Sequence, residues 1–140
     1  MSTIDVAVKQ ITDSIKLQME SRSYRAANEM RNAALLVLRG QRSGRRYLVP
    51  GTKRYYQASA PGEPPAVRTG IFRLSWQPSA HVVFGSYISR IESNVTVPNG
   101  RTLGDILENG TSRMAPRPHH DRILDKAEPD IVRIYSQSYF

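Results

Sequence analysis

"IDVAVKQITDSIKLQMESRSYRAANEMRNAALLVL", residues 4–38, contains neither proline nor glycine, and its apolar residues recur at helical spacing. Ile4, Val8, Ile11, Ile15 and Met19 form one stripe, and Ala26, Met30, Ala33 and Val37 continue it after a polar gap. Ser2 or Thr3 can cap the start, and Gly40 is placed to end the helix after Arg39. A continuous helix of this length runs about 50 Å, whereas a compact domain of this size is about 35–40 Å across. The helix therefore either breaks near "ESRS" (residues 20–23) or projects beyond its own domain. A projecting amphipathic helix needs a neighbour to cover its stripe.

Beyond the helix, residues 40–68 read as one excursion, "GQRSGRRYLVPGTKRYYQASAPGEPPAVR". Loops of this length are uncommon in compact domains and tend to serve a binding role. Within it, Arg42, Arg45, Arg46 and Tyr47, then Lys53, Arg54, Tyr55 and Tyr56, set cations beside aromatics. That pairing suits phosphates, carboxylates or a partner surface. After Gly70, "IFRLSW" reads as a helical turn leading into a strand, with Trp76 as a core anchor. "HVVFGS", "YISRIES" and "NVTV" (residues 81–97) read as short strands, and "PNG" at 98–100 as a turn.

"TLGDILENG" (residues 102–110) has Thr102 as cap, Leu103, Ile106 and Leu107 as apolar face and Gly110 as stop. The last helix begins near Pro118 and carries Ile123, Leu124, Ala127, Ile131, Ile134 and Tyr135 on one face, with Pro129 as a kink or new start. The order predicts a single α+β domain over residues 1–140. It has a long N-terminal helix, a small antiparallel sheet of short strands, a short helix and a C-terminal helix, with a long central loop or arm at 40–68.

Charge is concentrated in that middle. Residues 22–73 carry eleven Lys and Arg against Glu29 and Glu63, while the 140-residue chain has a net charge of +8. A basic middle points to nucleic acid, an acidic protein surface or solubility. Cysteine is absent, which removes disulfides and thiolate chemistry. No signal pattern or membrane-length apolar run is visible, so the expected setting is soluble and intracellular.

Catalytic motifs are absent: no phosphate-cradling loop, dinucleotide fingerprint or nucleophile elbow occurs. The pairs Asp105 with Glu108 and Asp121 with Asp125 read as solvated helix faces. "PHHD" at 118–121 is the one metal-like cluster, but consecutive helical residues point about 100° apart, so His119 and His120 do not readily share an ion. The expectation is a protein without enzyme activity, cofactor or metal.

Three landmarks fall in a familiar order. "PGEPPAVRTGIFRLSW" (61–76) leads through prolines to a Thr-Gly turn, "ILENGT" (106–111) contains a Glu-x-Gly-Thr turn, and "MAPRPHHDRILDKA" (114–127) enters the final helix through Arg-Pro. With the N-terminal helix, this resembles the tail-completion or head–tail joining family of tailed bacteriophages, from about Ala26 to Tyr135. Members commonly carry an apolar aromatic residue after Arg-Pro, where this chain has His119.

The resemblance implies a structural virion protein at the neck, formed in the host cytoplasm. It would join tail to capsid as a ring, six-fold favoured, around the DNA channel. Its partners would be copies of itself, other neck, connector and tail proteins, and genomic DNA through non-specific contact, with no membrane. The proline-rich segment would stiffen an arm against a neighbouring subunit. The interface expected on this view comprises Arg42, Arg45, Arg46, Tyr47, Lys53, Arg54, Tyr55 and Tyr56. The competing reading is a small basic module that binds nucleic acid without sequence specificity.

Overall fold

The computed structural model describes residues 3–139, and the capping role expected of Ser2 lies outside them. Helix α1 spans Thr3–Val37 without interruption, so the "ESRS" segment does not break it. The polar gap is instead a crossing point. Ser23 is buried, donates its hydroxyl to Met19 O and accepts from the Tyr135 hydroxyl, while its own carbonyl accepts from Ser89. Polar residues here satisfy one another between three elements, which a reading of apolar periodicity alone cannot register.

Two antiparallel hairpins follow. Strands β1 (Arg46–Leu48) and β2 (Tyr55–Gln57) form one, and β3 (Trp76–Val83) and β4 (Ser86–Ser93) form the other. The fold is α+β, as the sequence predicts, but the strands divide into two separate pairs. "NVTV" contributes only an isolated bridge between Thr96 and Thr102. The turn α2 (Ile71–Leu74) leads into β3, α3 covers Leu103–Asn109, and α4 runs through Pro129 from His120 to Tyr135.

The core lies where α1, α4 and the β3–β4 hairpin meet. Ala27, Met30, Ala33 and Ala34 of the C-terminal half of α1, with Leu38 just past its end, pack with Trp76, Ile123 and Ala127, and Phe72, Ile91 and Ile131 close its edge. Alanines on α1 let α4 approach closely, and Trp76 fills the remaining volume. Its burial supplies roughly 2–3 kcal/mol or more of apolar transfer free energy.

Arginines hold the ends of the helices. Buried Arg22 donates to the carbonyls of Gln137 (2.6 Å) and Ser138 (2.8 Å) just past α4, and its guanidinium stacks on the Tyr139 ring. Arg42 donates to Val37 O at the end of α1 (2.8 Å) and to Pro64 O (2.7 Å). Each places a cation where helix carbonyls are unpaired and the helix dipole is negative.

The start of α4 is closed from another element. Glu108 of α3 accepts from the backbone N–H groups of His119 (2.7 Å) and His120 (3.1 Å), a cap supplied in trans. Glu108 is thus not on a solvated face, contrary to the sequence expectation. The turn that presents it needs Gly110, whose φ is +75° and where an added Cβ would lie 2.7 Å from Met114 O. His119 takes the buried aromatic slot, with its ring edge-on to Phe72 (5.6 Å, 88°) and to Trp76 (5.9 Å, 68°).

Candidate interaction surface

The basic middle holds two distinct groups of cations. Arg22, Arg31, Arg42 and Arg73 point inward: Arg31 donates to Trp76 O, and Arg73 to Leu35 O. These cations are internal staples. Burial lowers the Arg42 pKa from its usual value, and Glu63 nearby partly restores it. Of the expected interface residues, Arg42 is therefore committed to its own chain.

A second group of cations stands outward on the β1–β2 hairpin, while Arg25, Arg39 and Arg68 are exposed elsewhere. Arg45, Arg46, Lys53 and Arg54 are exposed and form no ion pair with a carboxylate among the described residues. The register pairs Arg46 with Gln57, Tyr47 with Tyr56 and Leu48 with Tyr55. Alternation then sets Tyr47 and Tyr56 on one face, with ring centroids 6.1 Å apart. The guanidinium of Arg46 lies 4.8 Å from the Tyr55 ring on the opposite face. The excursion is thus a folded hairpin, which strands of three residues were too short to announce.

Its base is built for close approach. Gly44 N–H donates to Ala58 O (2.8 Å), the Gln57 amide donates to Gly44 O, and a Cβ on Gly44 would meet Ala58 O at 2.6 Å. The proline segment that follows lies on its own domain: Pro64 and Pro65 are buried, Arg117 bonds Ser59, and Arg122 donates to Gly62 O. Glu63 accepts from Ala60 N–H (2.6 Å), Ser43 N–H (3.0 Å) and the Ser43 hydroxyl (2.9 Å). The N–H groups of Ala60 and then Ser43 hold its carboxyl below the usual range.

Two further exposed features belong to the surface. Every residue from 3 to 14 of α1 is exposed, and Ile4, Val8 and Ile11 lie on one side of it. At the tip of β3–β4, Phe84 (φ +49°) and Gly85 (φ +77°) make the two-residue turn. Right-twisted strands favour positive φ at both turn positions, but asparagine or glycine normally occupies them. Phe84 incurs a left-handed conformation worth about 1–2 kcal/mol and leaves its ring wholly in solvent, at 104% relative exposure. Between that tip and α1, a shallow groove runs past Ile15, Met19, Val82 and Tyr87. Sequence periodicity found the helical stripe but missed Phe84, because two-residue hairpin turns are signalled by pairs such as Asn-Gly or Asp-Gly and "FG" is not one of them.

No family model matches this chain, and no curated protein or solved structure matches it either. No helix of the described residues is long and apolar enough to cross a membrane.

Proposed function

We propose that this chain is an assembly protein whose work is contact with other subunits. Within that class, the order of the Thr-Gly, Glu-x-Gly-Thr and Arg-Pro landmarks favours a head–tail joining or tail-completion protein of a tailed bacteriophage. It would act in the virion neck as a ring, six-fold by preference, around the DNA channel. Copies of itself and the adjoining connector and tail proteins are its partners.

The carrying observation is the uncovered end of α1. Residues 3–14 are all exposed, and Ile4, Val8 and Ile11 among them are each more than half exposed. Phe84 adds a second apolar group displayed at a conformational cost. Heterologous contacts between such surfaces generate a closed ring when the rotation closes. The experiment is quantitative mass analysis of assembled particles carrying either the wild-type chain or an Ile4→Ser, Val8→Ser, Ile11→Ser variant. Several copies per particle are expected, with loss of incorporation in a variant that still folds. A single copy per particle overturns the ring.

The second reading, a basic module for nucleic acid, draws on the unpaired cations and stacked Arg46–Tyr55 of the hairpin. Its signature is affinity for DNA that falls steeply with salt and ignores sequence.

A further inference from the structure

His119, His120 and Glu108 meet at the junction of α3 and α4, and one donor atom from each lies within 4.8 Å of the others. Adjacent histidines diverge when both are helical. Here His119 is the residue before the helix, with φ −142°, and the two ring centroids are 4.6 Å apart. The premise that separated them in the sequence does not hold in the fold.

The hydrogen bonding around His119 leaves a gap. Its Nδ1 lies 3.1 Å from Glu108 Oε2 and 3.1 Å from Arg117 O, while its Nε2 is buried with no partner among the described residues. With the proton on Nδ1, a lone pair is buried unpaired at Nε2. With the proton on Nε2, the Nδ1 lone pair faces two oxygens with nothing between them. A cation at Nδ1 resolves the second arrangement. The Nε2–H then lies among the rings of Phe72 and Trp76, where an N–H can point into a π face.

We propose that Glu108, His119 and His120 bind one divalent transition ion of the zinc class, with water completing its coordination. Imidazole and carboxylate donors suit that class. Glu108 Oε2 serves the helix cap, which leaves Oε1, 4.0 Å from His120 Nδ1. Donors around a four-coordinate zinc lie about 3.3 Å apart, so the widest-set pair has to close by up to about 1.5 Å. His120 is exposed enough to turn inward. The positive end of α4 opposes a cation there, and the Glu108 carboxylate seated on it offsets that opposition.

The test uses untagged full-length protein freed of metal with a chelator, then titrated with Co(II) followed by zinc. The expected result is one Co(II) per chain with the visible absorption of a four-coordinate site, displaced by zinc. His120→Ala, which alters an exposed side chain, should weaken binding by at least about tenfold. His81→Ala, remote on β3, should leave it unchanged. Absence of a saturable cobalt spectrum in the wild-type protein overturns the proposal, as does equal affinity in His120→Ala.

Discussion

Glu63 is a surface carboxylate with three donors aimed at one oxygen, and those donors come from both ends of the hairpin's support. Its carboxyl is held below the ordinary value of 4.5. The ionised form is thus favoured by the fold, so its contribution is complete above the unfolded pKa. It is lost as pH falls through the lower, folded value. Wild-type protein should therefore lose more stability than Glu63→Gln between about pH 6 and pH 3. Denaturant unfolding across that window measures the difference, and parallel curves for the two proteins would remove Glu63 from the linkage. The same residue scale exposes what a sequence hides. Glu108 and Arg42 look like ordinary surface charges, because their partners are backbone groups brought close only by folding.

At the scale of elements, the β1–β2 hairpin is joined to the domain by its base, and its strands lie outside the hydrophobic core. Replacing residues 45–57 with a short Gly/Ser linker keeps Arg42 and the α1 end it binds. Under the proposed function, that variant should lose no more than about 1–2 kcal/mol of stability while failing to join heads to tails. Circular dichroism with thermal melting checks the first half and particle assembly the second. Normal infectious particles from the deletion would reduce the hairpin to a surface ornament. Elements with long periodic signals were legible: α1, α4 and the α3 turn follow from apolar spacing, Thr102 and Gly110. The β1–β2 pair was not, since three-residue strands show no alternation and Tyr, Arg and Lys fit a loop equally well. The candidate cations were legible as a cluster. Their division into inward staples and outward hooks depends on which carbonyls lie nearby, and no spacing encodes that.

For the whole molecule, the exposed stretch of α1, residues 3–14, is about 18 Å long. A compact chain of 140 residues has a radius of gyration of about 14 Å. Small-angle scattering from the dilute monomer should exceed that value, and a measurement at the compact value would mean that the helix folds back. The uncovered stretch also has an unusual folding status. Twelve residues cut free in water would be mostly coil, because the first helical turn is costly to nucleate. Here the nucleus is the packed half between Arg22 and Val37, so each added residue faces only propagation, near even odds per step. Helicity should therefore fade gradually from Thr3 inward, without a cooperative melting of its own. A partner settling on Ile4, Val8 and Ile11 would meet a helix already begun, and would need to stop only its fraying.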